Sequence, residues 1–146
     1  MPYSNPFPVP DHLGGNLRPV LAYWAGLKRG ANTVPFSDDL DFRAIPVSAH
    51  GLFLLTVFVL PERFRLDHLG EDLKEGDMKT GMFLDETPLR GCFSYLRTQS
   101  TATVEAAAPT FCLYRADGPD VGFSRLLLPM WGNGQISTII GAIDVD

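Results

Sequence analysis

Three histidines, two cysteines and a scatter of carboxylates are the residues of this chain equipped for chemistry. Cys92 and Cys112 stand 20 positions apart, with no C-x-x-C pair and no His at metal-ligand spacing. Zinc sites need such spacing, so no metal centre is predicted, and a low-cysteine chain of this kind reads as reduced and cytoplasmic. Gly122-Phe123-Ser124-Arg125 lacks the second glycine of a G-x-S-x-G nucleophile elbow. Gly14-Gly15 precedes a helical pattern, but its spacing fits neither a dinucleotide fingerprint nor a P-loop. Glu71/Asp72 and Asp85/Glu86 are adjacent in sequence and read as solvated pairs. Asp38-Asp39-Leu40-Asp41 lacks the Gly turn and later bidentate Glu of a calcium loop, and reads as a solvated loop with one Asp capping a helix. His68 follows Asp67 in a strand-like run; alternation sends adjacent strand residues to opposite faces and denies this pair an acid–base role. The residues predict no catalytic machinery.

The elements that would position these groups are legible from periodicity. Leu17, Val20, Leu21, Trp24 and Leu27 form a stripe of helical period, with Asn16 as N-cap, Lys28 and Arg29 near the C-terminus and Gly30 as the stop, which predicts a helix over 17–30. Residues 1–15 carry four prolines and two glycines without periodicity and read as an extended arm. Leu52–Val59 reads as a buried central strand and Phe64–Leu69 as a second, with Phe64, Leu66 and His68 sharing one face. A helix is expected over Phe83–Arg97 and an extended segment from Thr101 to Tyr114. Asp117-Gly118-Pro119-Asp120 reads as the turn into two apolar runs, Gly122–Met130 and Gln135–Val145, joined by Trp131-Gly132-Asn133-Gly134, a hairpin signal.

Length and composition bound the rest. A chain of 146 residues fits one domain, with 16–146 as its body. The net charge of −5 and nine scattered arginines give no basic stripe, which argues against nucleic acid. The longest apolar run, Leu52–Leu60, falls far short of the roughly 20 residues of a membrane helix, so no membrane partner is expected.

The element order, two strands, a helical middle and three strands, resembles that of a PAS domain, specifically the PAS family common in alphaproteobacteria and formerly catalogued as a domain of unknown function. The residues that carry the likeness are Leu17–Gly30 (LRPVLAYWAGLKRG), Gly51–Val57 (GLFLLTV), Phe64–Leu73 (FRLDHLGEDL) and Leu126–Ile143 (LLLPMWGNGQISTIIGAI). Lys79-Thr80-Gly81-Met82 stands where that family often has a Gly-Arg-Asp-Leu-Thr-Gly-type segment, without its Arg-Asp. The resemblance implies an α+β fold: a five-stranded antiparallel sheet in order 2-1-5-4-3, helices over one face and an N-terminal amphipathic helix. It also implies a stand-alone, non-enzymatic sensory or regulatory domain in signal transduction, acting through protein partners such as a kinase or regulator.

A sheet curled around helices encloses either a small-ligand cavity or a core filled by its own side chains. Residues expected inside are Phe64, Leu66, His68, Phe93, Leu96, Cys112, Tyr114, Leu126, Leu128, Ile136 and Ile140, a set suited to a small hydrophobic ligand. Haem would need an axial ligand, and His68 is the only histidine near that space. The flavin-binding relatives use an Asn-Cys-Arg-Phe-Leu-Gln-type helix, which Gly91-Cys92-Phe93-Ser94 does not match, so neither cofactor is expected. The stripe Leu17, Val20, Leu21, Trp24 and Leu27 is expected to pair with a second copy in a homodimer. The alternative reading is a small cone-like α+β enzyme or carrier of a hydrophobic ligand.

Overall fold

The computed structural model describes residues 6–47, 49–74, 78–115 and 122–145. The predicted turn at 117–120 lies outside the described residues. Helix α1 (Leu17–Gly26) is followed by strands β1 (Leu52–Val59) and β2 (Glu62–Leu69), helix α2 (Leu96–Ala106) and strands β3 (Thr110–Tyr114), β4 (Phe123–Gly132) and β5 (Gln135–Val145). Single turns of 3₁₀ helix fill the connections. The strands form one antiparallel sheet in order β2-β1-β5-β4-β3, the order that the resemblance implied. β5, not β1, is the central strand.

The closing hairpin turns on Asn133 and Gly134, at φ 53° and 78°. Two consecutive left-handed residues make the tight reversal that matches the twist of the flanking strands. β1 and β5 sit close together because residue 141 is glycine: a Cβ there would overlap the Phe53 ring.

Hydrophobic residues divide between the two faces. Beneath α1 lie Leu52, Leu126, Leu128, Met130, Ile140 and Ala142, packed on Leu17, Val20 and Trp24. Beneath α2 and the 84–93 turns lie Phe53, Leu55, Phe64, Leu66, Phe123, Leu127, Ile136, Ile139 and Ile143, packed on Leu84, Phe93 and Leu96. α1 is shorter than predicted and Asn16 makes no side-chain cap; its backbone N–H donates instead to Asp144 Oδ2 at 3.2 Å.

The homodimer stripe is placed differently from expectation. Leu17, Val20 and Trp24 are buried against the chain's own sheet, with Leu21 and Leu27 at the margin, and the Trp24 indole donates to Pro129 O at 2.8 Å. That apolar face is used within the molecule.

The helical middle also departs from expectation. The expected helix over 83–97 is replaced by two separated 3₁₀ turns, Leu84–Glu86 and Gly91–Phe93, because Pro88 cannot donate a helical bond and Gly91 sits at φ 58°. The helix runs instead over 96–106, where an extended segment was expected to begin. Its buried face mixes Leu96 and Ala102 with polar Gln99, Ser100 and Thr103.

Candidate functional site: a buried arginine under the helical lid

Among the described residues, Arg125 is the largest side chain that is buried completely. It lies on β4 between Phe123 and Leu127, so the two-residue period of the strand aims it at α2 with its apolar neighbours. Its Nε donates to Gln99 Oε1 at 2.7 Å, Nη1 to Cys92 O at 2.8 Å and Nη2 to Ser94 O at 2.9 Å. The Phe123 ring lies 5.2 Å from the guanidinium carbon. Among the described residues no carboxylate pairs with it.

The partners of Arg125 are themselves fixed. Gln99 Nε2 donates to Thr110 Oγ1 at 3.0 Å and, at 3.4 Å, to the carbonyl of Arg125. Thr103 Oγ1 donates to Gln99 O at 2.8 Å and lies 2.6 Å from Thr110 Oγ1. Gln99, Ser100 and Thr103 recur at helical spacing on α2 and are fully buried. The network therefore clasps the lid segment 92–103 to β3 and β4. Buried charge is costly without compensating hydrogen bonds, and here neutral oxygens supply the compensation. Burial pushes the Arg125 pKa down to about 10, against the favourable presence of Cys112 and Cys92. That value is well above neutrality, so the cation persists.

Of the expected lining residues, Phe64, Leu66, Phe93, Leu96 and Ile136 meet in this lid-side core, and Cys112 and Tyr114 pack at its margin. Cys112 is the cross-strand partner of Arg125, and Tyr114 stacks on Phe123 at 5.5 Å. Leu126, Leu128 and Ile140 face α1 instead. Leu126-Leu127-Leu128 is buried on both faces of β4, so composition leaves its phase ambiguous.

His68 is also on the α1 side. Leu54 pairs with His68 and Leu55 with Leu66, so Asp67 is an extra residue that flips the strand's phase. His68 then meets Phe42, their rings 4.8 Å apart, and its buried Nε2 has no hydrogen-bond partner among the described residues. Asp67 accepts from Thr56 Oγ1 and from Arg65 Nε, the latter at 2.7 Å. Burial raises the Asp67 pKa, but the Arg65 and Thr56 hydrogen bonds and the Arg65 charge outweigh it, leaving the carboxyl below its ordinary value. The bulge, not simple alternation, decides this pair: both side chains leave the lid-side core.

Among the acidic-knot residues, Asp39 binds Arg29 and Asp41 accepts from Arg43 N–H at 3.0 Å as a 3₁₀ cap, the role expected of one Asp. No cluster of metal-ligating side chains occurs among the described residues. No helix there is long and apolar enough to cross a membrane.

Sequence reasoning missed Arg125, Gln99, Thr103 and Thr110. The available signal was a lone Arg at an inward position of an otherwise apolar strand. No family model matches this chain, and no curated or solved protein shows significant similarity to it.

Proposed function

We propose that this chain is a PAS-type sensory or regulatory domain of the cytoplasm, without enzymatic activity, whose output is contact with protein partners. The observation that carries this reading is the strand order β2-β1-β5-β4-β3 with the helical lid inserted between β2 and β3. The clasp adds a physical reason why such a lid could signal. Arg125 holds carbonyls on both Cys92 and Ser94 and the Gln99 amide, so lid displacement breaks several directional bonds together. A lid held this way favours discrete positions over gradual drift. A small hydrophobic ligand entering between Phe93, Leu96 and Leu66 would bias those positions only through different affinity for each.

Native mass spectrometry of the chain purified from its own host tests the reading. A retained small molecule or stoichiometric protein partner, lost on denaturation, is the expected result. Consumption of a metabolite by the purified chain, abolished by substitutions in the lid-side core, would overturn the non-enzymatic assignment.

A further inference from the structure

Every acceptor of the Arg125 hydrogen bonds is a neutral oxygen: Gln99 Oε1, Cys92 O and Ser94 O. An arginine that is fully buried is almost always paired, because a nearby opposite charge offsets part of the cost of taking the cation out of water. Among the described residues no carboxylate does this. The Phe123 ring adds attraction but no charge. A guanidinium has two N–H groups on each terminal nitrogen. Nη1 and Nη2 each make one bond to a described residue, so each keeps a second N–H for an acceptor.

Two further observations point to a ligand. Ser100 follows Gln99 on α2, is fully buried, and its Oγ has no hydrogen-bond partner among the described residues. Buried polar groups are normally satisfied, so unused capacity on both Arg125 and Ser100 under one lid is unusual. The second observation is backbone strain. Residues 92–94, whose carbonyls hold Arg125, are bracketed by Gly91 at φ 58° and Tyr95 at φ 64°. The left-handed conformation is costly for tyrosine, and the Tyr95 side chain is largely exposed. The surroundings are apolar: Phe93, Leu96, Phe123 and Leu127 share the lid-side core. The margin toward solvent lies at β3, where Cys112, paired with Arg125 across the ladder, and Tyr114 are only partly buried.

We propose that Arg125 is the recognition residue for an apolar carboxylate, which displaces the carbonyls of Cys92 and Ser94 from it. The carboxylate accepts from Nη1 and Nη2 together, a charged two-point fit that neutral carbonyls do not offer. Ser100 Oγ donates to it, and its apolar body lies against Phe93, Leu96 and Phe123. Gln99 keeps its bond to Nε, so α2 stays joined to β4 while 92–94 is released and Tyr95 leaves its strained conformation. The anion binds the released lid better than the clasped one, which is the differential affinity that a population shift requires. The inference names the ligand class of the regulatory reading above and rests on that reading for its use.

The test titrates the full chain by calorimetry with hexanoate and phenylacetate, with the uncharged hexanol and phenethyl alcohol, and with acetate. Each apolar acid is expected to bind roughly tenfold more tightly than its alcohol and than acetate. It should also speed amide exchange at 92–95 and leave α1 unchanged. Arg125→Met should lose the preference for acid over alcohol. Should that variant not fold, Ser100→Ala, which removes only a hydroxyl, should weaken the acids roughly fivefold. Failure of both acids to bind, or equal binding of acid and alcohol, overturns the inference. Retention of a neutral molecule, or of a protein partner alone, by the chain purified from its host overturns it while leaving the regulatory reading in place. Turnover of a bound acid overturns both.

Discussion

The two faces of the sheet are held by opposite means. Under α1, Leu17, Val20 and Trp24 meet Leu126, Leu128, Met130 and Ile140, a contact of apolar area with one indole hydrogen bond. Under α2, Phe93 and Leu96 supply apolar contact, but Gln99 accepts from a buried guanidinium and Thr103 bonds Gln99 and Thr110. Burial of apolar surface is non-directional and tolerates small shifts, whereas hydrogen bonds fail steeply with distance and angle. The first face is suited to anchoring a helix and the second to fixing the position of one. That difference is why the lid, not the leading helix, is the element argued to report a change.

Substitutions can break this comparison. Trp24→Ala should be the most damaging, costing about 4 kcal/mol from lost burial, cavity formation and the orphaned Pro129 carbonyl. Chemical denaturation measures it, and hydrogen exchange should show α1 loosened first. Arg125→Met should cost roughly 3 kcal/mol, because it keeps the volume but leaves Cys92 O, Ser94 O and Gln99 Oε1 without their donor. Its exchange signature should fall on 92–103. Gln99→Leu removes one acceptor from Arg125 and one donor from Thr110, and about 2 kcal/mol is expected in the same assay.

The smallest effect is electrostatic and lies outside both cores. Asp67 is held below its ordinary pKa on balance, against burial, by Arg65 and Thr56; Arg29 does the same for Asp39, mainly through their hydrogen bond. A carboxyl with a depressed folded value stabilises the fold above its unfolded value, near pH 4, and loses that contribution as pH falls through the lower folded value. Melting temperature should therefore decline below about pH 4. Asp67→Asn should reduce that slope while sparing the exchange rates of α2.

What the sequence disclosed follows from the same contrast. The α1 stripe, β1, β2 and the Asn133-Gly134 hairpin are readable because apolar periodicity and turn chemistry each specify one local structure. α2 is hidden because polar Gln99, Ser100 and Thr103 stand beside Leu96 and Ala102 on its inward face, so a search for an apolar stripe passes over it. Seven of the eleven residues expected inside lie in the lid-side core or at its margin. The remainder failed at the extra residue Asp67, which reverses the phase of His68, and at Leu126-Leu127-Leu128, whose burial on both faces conceals which residue looks inward. Arg125 was present in the sequence as an exception to its surroundings, but its partners are 26 to 33 positions away.

The clasp is tested most directly by amide hydrogen exchange of the native chain against Arg125→Met, with both helices resolved. The account predicts that amides of 92–103 exchange about a hundredfold faster while those of α1 stay within a few-fold of the native rate. Equal acceleration of both helices, or an unchanged lid, would contradict it.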